Sequence, residues 1–450
     1  MNKIRFTTTQ IILLSFLSVI FIGSILLALP VSSADGVAVP YIDALFTATT
    51  STCVTGLVTV PTFSTWSFFG QAVILVLIQI GGLGVVTVMT GLMLLFNKKL
   101  GIGDRLLIQD AFNLNTMSGL VRFVKNVLIG TLIIEGIGAA LYMLVFIPEF
   151  GPKGIWISLF NSVSAFCNAG IDVIAENSLC DFATDPLISL VTSALVILGG
   201  LGYIVWWDIL RVVKSRSKKN RKIFRHLTLH SKIVITVTAV LILLGAVLIF
   251  IFEYSNPLTI GNMGLSDKIL VSFFQSVTTR TAGFASVPQE NLTNASAAVS
   301  VVLMVIGGSP VGTAGGMKTV TVAVLVFSAL ATIRNKADTS VFGRRISDSS
   351  IKKAVAVATA FFTICTVSVV LLTATNSVSA IDAVYEAVSA TATVGLSRNL
   401  TAALNNAGKI IIIVTMYFGR VGPISLAVAL GSKNESQNVI SEPTEEISIG

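Results

Sequence analysis

The sequence predicts an all-α polytopic membrane protein: four covalently linked M1–pore helix–M2 repeats around a pseudo-fourfold pore. Composition is the first reason. Hydrophobic residues make up 54% of the 450 and charged residues 12%, where an ordinary soluble chain carries ~25% charged residues. Mean hydropathy is +0.88. The second reason is a set of long runs almost free of charge, and the third is a pair of landmarks that recurs four times along the chain. Together they exclude most cytosolic enzymes, nucleic-acid binders and secreted disulfide scaffolds. The net charge of +8 and pI near 9.4 therefore read as orientation of loops against a membrane, not as affinity for nucleic acid.

The apolar runs fall at 8–31, 67–96, 126–147, 186–207, 233–252, 296–333, 354–376 and 409–430. A helix needs about 20 residues to cross ~30 Å of hydrocarbon. Only a helix satisfies its own backbone there, so all eight are predicted α. The first run follows Lys3 and Arg5 but lacks a small-residue cleavage site, which predicts an uncleaved first span. The sixth is over-long and broken by Gly307-Gly308-Ser309-Pro310.

Four shorter segments lie between successive runs: Ala44–Leu57, Ser158–Ile171, Val271–Phe284 and Ala383–Leu396. Each has an aromatic residue (Phe46, Phe160, Phe273, Tyr385) ten positions before a glycine (Gly56, Gly170, Gly283, Gly395), and a bulky apolar residue follows each glycine. A second landmark comes 25, 29, 24 and 24 residues later: Gly81-Gly82-Leu83-Gly84, Gly199-Gly200-Leu201-Gly202, Gly307-Gly308-Ser309-Pro310 and Gly419-Arg420-Val421-Gly422. Two independent landmarks in register four times define an internal repeat. The repeats span 1–97, 98–214, 215–335 and 336–430, with a polar tail at 431–450. Gly81–Gly84 and Gly199–Gly202, which lack proline, read as close-packing positions; only the third repeat reads as broken.

Lys and Arg set the orientation. Positions 97–125 hold 5, 208–232 hold 9 and 334–353 hold 6, while the opposite face holds only Lys153, Lys268, Arg398 and Lys409. The positive-inside rule then puts both termini and the inter-repeat loops in the cytoplasm, with the four short segments entering from outside. The outer side carries twelve Asp or Glu. That negative vestibule should concentrate cations, and Asp172, two residues after Gly170, is its best-placed member. Asp43, Asp267 and Asp382 also suit the starts of pore helices.

A short helix that stops partway leaves an extended stretch to climb back out. Extended backbone is tolerated at membrane depth only where it is buried or lines water. Its carbonyls are then free to replace a cation's hydration shell, and glycine supplies the positive φ that aims them. The stretches are Thr52-Cys53-Val54-Thr55-Gly56, Phe166-Cys167-Asn168-Ala169-Gly170, Thr279-Arg280-Thr281-Ala282-Gly283 and Thr391-Ala392-Thr393-Val394-Gly395. A tight outer turn would explain any one of them; four in register favour degenerate copies of a potassium-selective filter.

With its Thr-Arg-Thr-Ala-Gly-Phe third filter and the Gly-Gly-Ser-Pro-Val-Gly-Thr-Ala-Gly-Gly-Met-Lys run after it, the chain resembles the Ktr/Trk/HKT superfamily of potassium transporters. The similarity is greatest to its KtrB branch of ion-conducting membrane subunits and covers about 8–430. The resemblance implies that Gly56, Gly170, Gly283 and Gly395 are filter glycines. Plant relatives with serine in the first filter carry sodium, so four glycines imply K⁺ as the substrate ion, with a Na⁺-conducting or Na⁺-coupled transporter of the same fold as the alternative. It further implies that Gly307–Lys318, containing Gly307, Gly308, Gly312, Gly315 and Gly316, is an intramembrane gate loop, and that Arg420 helps close the path below the filter. A homodimer on an octameric ring of cytosolic RCK-type subunits that bind ATP or ADP, in a bacterial cell membrane, is implied as well.

Other charges at membrane depth need partners. Arg280 should brace its loop from behind, against a carboxylate such as Glu290; Glu135 should pair with Lys318, Arg280 or Arg420. His226 and His230 lie in a basic linker that reads as solvated, or as a surface for anionic lipid or an acidic partner, and not as a metal pair. No GxGxxG follows a strand, so a nucleotide-binding regulator must be another chain. A secondary carrier would show inverted repeats, and an intramembrane enzyme would need histidines or paired carboxylates within the spans. No enzyme and no bound cofactor are expected.

Overall fold

The structure, a computed structural model, describes residues 7–96, 101–111, 119–214 and 223–422. Among the described residues, four helices are long and apolar enough to cross a membrane: Thr8–Leu27, Leu120–Phe150, Leu229–Glu253 and Asp348–Thr375. Each opens a repeat. Three begin on a hydroxyl cap, from Thr7, Thr228 and Ser347, which satisfies backbone N–H groups that no helical carbonyl can reach. Large apolar side chains such as Phe21, Leu132 and Leu243 face outward from them, as a hydrocarbon solvent permits.

A short helix follows in every repeat: Tyr41–Cys53, Lys153–Cys167, Leu265–Thr278 and Ala380–Ala392. Their C-terminal halves are buried; in the first, every residue from Phe46 to Cys53 is enclosed. Small side chains (Ser, Thr, Ala) allow that crowding. The fold is thus four M1–pore helix–M2 units.

The second long helix of each repeat differs from expectation. Phe68–Leu83 turns by 100° into Val85–Leu95, and Pro186–Leu201 by 92° into Tyr203–Lys214. The third repeat divides into Asn294–Val305 and Thr319–Ile333, and the fourth helix, Asn406–Val421, ends at Gly422. The first three therefore break at the second landmark, not the third alone, and the fourth helix ends there. The cause is local: Gly84, Gly202 and Gly422 adopt φ of +86°, +85° and +93° with ψ near 130–140°, a conformation that glycine reaches at no steric cost. The third repeat has Pro310 at that register position. Proline is locked near φ −65°, so the chain cannot turn there and instead runs as a loop to Lys318.

Close packing holds as well. A Cβ on Gly81, Gly199 or Gly419 would collide with the carbonyl of Thr52, Phe166 or Thr391, each four residues before its repeat's conserved-register glycine. The repeats close on one another. Trp156 Nε1 donates to Gln71 Oε1 at 2.8 Å, Leu179 N to the Ala285 carbonyl at 3.0 Å, and Tyr385 Oη to Gln289 Oε1 at 3.0 Å. Lys409 pairs with Asp43 at 2.6 Å and joins the fourth repeat to the first. A two-stranded hairpin, Ser340–Val341 with Arg344–Arg345, links the third and fourth repeats. Within the basic linker, 215–222 lies outside the described residues, as do 423–430 of the eighth run and the polar tail 431–450.

Candidate ion-conduction site

The short helices deliver four loops to one place. Gly56, Gly170, Gly283 and Gly395 have φ of +100°, +62°, +84° and +97°. A Cβ built on Gly56 would stand 2.5 Å or less from the Ala169 carbonyl; on Gly170, from Ala282; on Gly283, from Val394; on Gly395, from Thr55. Each glycine therefore abuts the carbonyl just before the next repeat's glycine, and the fourth returns to the first. The result is a closed ring of four, in chain order.

A second positive φ lies two residues before each glycine, at Val54 (+55°), Asn168 (+59°), Thr281 (+66°) and Thr393 (+51°). Such φ values are strained for β-branched residues, and here the surroundings hold them. Thr50 Oγ1 accepts from Gly56 N at 3.0 Å, Ser164 Oγ from Ile171 N at 3.1 Å and Ser389 Oγ from Gly395 N at 3.1 Å, while Thr278 Oγ1 donates to the Phe284 carbonyl at 2.6 Å. One hydroxyl from the last turns of each pore helix thus pins its loop. Cys53 and Cys167 are the buried last residues of their helices. Thr52 Oγ1 and Thr55 Oγ1 are buried without a hydrogen-bond partner among the described residues. A ring of backbone carbonyls with free hydroxyl oxygens is a chemistry suited to a dehydrated monovalent cation.

On one side of the ring lies a cavity of about 460 Å³ lined by all four glycines, with Asp172, Glu176 and Glu290 in its wall. Half-buried Asp172 accepts from Ile174 N at 3.4 Å; burial pushes its carboxyl up to about 6, against the pull of hydrogen bonds from Ser178 and from the Ile174 and Ala175 backbone. Two carboxylates at pore-helix starts are neutralised. Asp43 pairs with Lys409 and Asp382 with Arg398 at 2.9 Å, which leaves the mouth less negative than a count of residues suggests.

On the other side, the Gly307–Lys318 segment lies across the ring. Thr313 Oγ1 sits 2.9 Å from Asn168 Oδ1 and 3.0 Å from the Phe166 carbonyl, and Gly315 N donates to Thr281 Oγ1 at 3.2 Å. A Cβ on Gly315 would collide with Thr393 Oγ1. So the positive-φ residues of the second, third and fourth loops all meet this segment. It is also stitched to the break in the second repeat: Ser309 N donates to Gly200 O at 2.8 Å, Thr313 N to Gly199 O at 3.2 Å, and Tyr203 N to Val311 O at 2.9 Å. Gly312 packs against Gly199 and Gly202, while Gly308 lies against Gly200 and Gly316 against Gly307.

Three cations stand around the segment, each on a backbone oxygen. Arg420 donates to Thr313 O and to Gly81 O, both at 2.6 Å. Lys318 Nζ donates to Ala314 O at 2.6 Å. Arg280 braces its loop as expected but not against Glu290: its Nη2 donates to Gly307 O at 3.0 Å. Broken helices free carbonyls, and these carbonyls take the place of acids. Glu135 has no cation partner among the described residues. Gln79 Nε2 donates to it at 3.2 Å, and Cys167 Sγ lies 3.9 Å from its other oxygen.

Sequence reasoning missed the positive-φ residues, the pinning hydroxyls and the bends at Gly84 and Gly202. The hydroxyls carried a signal: Thr50, Ser164 and Ser389 all stand six residues before a ring glycine.

The TrkH family, described as cation transport protein, matches residues 3–441. "Potassium/sodium uptake protein NtpJ" of Enterococcus hirae is 38% identical over 452 residues, covering 99% of this chain and 98% of its own. "Ktr system potassium uptake protein B" of Bacillus subtilis is likewise 38% identical, over 99% of this chain and 98% of its own. The crystal structure of the potassium transporter TrkH from Vibrio parahaemolyticus superposes with a TM-score of 0.75 at 15% identity, covering 95% of this chain and 86% of that one. That last likeness is one of fold.

Proposed function

Because the chain belongs to the TrkH family of cation transport proteins, we propose that it takes up potassium by channel-like conduction through the ring of four glycine loops. The single observation that carries this reading is the closed ring itself, in which each glycine meets the carbonyl preceding the next. An ion entering from the acidic cavity gives up water to those carbonyls, whose spacing is held by the pinned loops and costs no reorganisation at the moment of passage. Relatives named for potassium uptake support the choice of ion.

In the same reading, Gly307–Lys318 is the gate, held closed by Arg420 and assisted by Lys318. A segment with five glycines and a proline is easily rearranged, and it blocks the path directly under the ring. In this reading both termini are cytoplasmic in a bacterial cell membrane, the chain forms a homodimer, and a separate octameric ring of RCK-type subunits binds ATP or ADP and drives the gate. No dinucleotide-type glycine motif in this chain offers an alternative site for the nucleotide.

A Na⁺-conducting or Na⁺-coupled transporter is the second reading, favoured by one specific observation: a relative at 38% identity carries both ions in its name. Proteoliposomes decide between them. Rb⁺ or K⁺ flux well above Na⁺ flux supports potassium uptake; equal fluxes overturn it in favour of the second reading.

A further inference from the structure

A small void lies between the break in the second repeat, the first helix of the third and the gate segment. Its walls include Gly200, Thr238, Ile242, Val277, Arg280 and Gly308, and it offers about 10 Å³ to the centre of a water-sized sphere. Two side-chain atoms on its lining residues are buried and lack a hydrogen-bond partner among the described residues: Arg280 Nε and Thr238 Oγ1. Both residues are only 7% exposed.

Arg280 uses Nη2 on Gly307 O, which leaves its Nε–H without an acceptor. A desolvated, unsatisfied donor on a charged group is costly. Several helical threonines turn their hydroxyl back to the carbonyl four residues earlier, as Thr49, Thr90, Thr192 and Thr415 do. Thr238 does not. One donor that cannot accept and one hydroxyl that can do both thus belong to residues that line a single space, whose volume stands at the lower bound for one water.

We propose that this void is a binding site for a single ordered water molecule that accepts from Arg280 Nε–H and donates to Thr238 Oγ1. Its second hydrogen has the carbonyls of Gly200 and Gly308 within the wall; each already accepts one backbone N–H, from Ser309 and Thr319, and keeps a lone pair. The chemistry selects water over the other small ligand an arginine attracts. A halide is larger than the space, and it would place its charge against the Thr238 oxygen and glycine carbonyls. The water completes the solvation of Arg280 at membrane depth and makes Thr238 a positioning residue. It fixes the guanidinium whose other end holds Gly307, where the gate segment begins.

The test is a map of the full-length protein in lipid nanodiscs, sharp enough to show ordered water, for wild type, Thr238→Val and Thr238→Ser. Support is a peak within hydrogen-bond distance of both atoms in wild type and Thr238→Ser, lost in Thr238→Val. An empty void in wild type overturns the proposal, as does a peak that survives in Thr238→Val or one that exchanges with bromide. Should the valine variant not fold, the wild-type peak and its response to bromide decide alone. None of these readouts depends on which ion is carried.

Discussion

Arg420 Nη1 lies 2.6 Å from the carbonyl oxygen of Thr313, and the same guanidinium reaches Gly81 O at 2.6 Å. One side chain from the fourth repeat therefore fastens the third repeat's loop to the broken helix of the first. A hydrogen bond from a charged donor contributes about 1.5–3 kcal/mol, roughly 10- to 150-fold in a two-state equilibrium. Arg420→Ala should shift the gate toward open by that order and raise Rb⁺ uptake into proteoliposomes without any regulatory subunit. Unchanged basal uptake would show that the contact does not restrain the loop.

The ring glycines should tolerate no side chain. Gly283 combines φ +84° with a Val394 carbonyl 2.5 Å from where a Cβ would sit, and strain of this kind costs about 1–3 kcal/mol before any clash. Gly283→Ser is expected to lower K⁺ flux or K⁺-over-Na⁺ preference about tenfold or more. Gly36 is the control: it has φ +70°, yet open space surrounds its Cβ position. Gly36→Ala should leave selectivity unaltered. Paired K⁺ and Na⁺ fluxes on the two variants check both.

Asp172 should make uptake sensitive to pH on its own side of the membrane. Burial raises its carboxyl to about 6, so it is ionised near pH 7.5 and largely neutral near pH 5. The charge is present above the raised value and is lost as pH falls through it. A unit charge in water is worth about 1 kcal/mol at 4 Å and less farther away, so the expected effect of one carboxylate in the cavity wall is on the order of twofold in occupancy. Uptake at low K⁺ should fall about twofold across that window and change less at saturating K⁺. Asp172→Asn should sit at the lower level at every pH; a wild-type profile retained in this variant assigns the titration elsewhere.

These relationships were not equally legible in the chain. The ring was, because glycine at a fixed distance from an aromatic residue is a pattern that only a repeated backbone requirement produces. So was the loop at 307–318, where proline among glycines forbids a continuous helix. The positive φ values at Val54, Asn168, Thr281 and Thr393 were not legible, since nothing in a valine or threonine announces a left-handed backbone that tertiary contacts impose. Partners of buried cations were hidden for a related reason. Arg280 reaches Gly307 O and not Glu290, and Arg420 reaches Thr313 O and Gly81 O. Those acceptors exist only because helices break, and a freed carbonyl has no letter in the sequence. Glu135, the counter-ion that the sequence suggests, accepts from Gln79 instead.

The two bends misread as packing alone offer the sharpest comparison. Gly84 and Gly202 share almost the same backbone, φ +86° and ψ 136° against φ +85° and ψ 142°. An alanine at either pays the same conformational strain, about 1–3 kcal/mol. Their surroundings differ. At Gly84 the nearest atom to a Cβ is Thr87 Oγ1 at 3.8 Å, an ordinary contact; at Gly202 the added carbon would run into the carbonyl of Pro310, in the gate segment. Backbone cannot swing aside as a side-chain end can, so the loop itself must move. Gly84→Ala should therefore lower thermal stability while leaving basal Rb⁺ uptake near wild type. Gly202→Ala should lower stability comparably and also raise basal uptake, because the strand it displaces is the one lying across the ring. Equal uptake in the two variants, at matched protein in the liposomes, would mean that Pro310 can shift without opening the path and that the bend at Gly202 serves the fold alone.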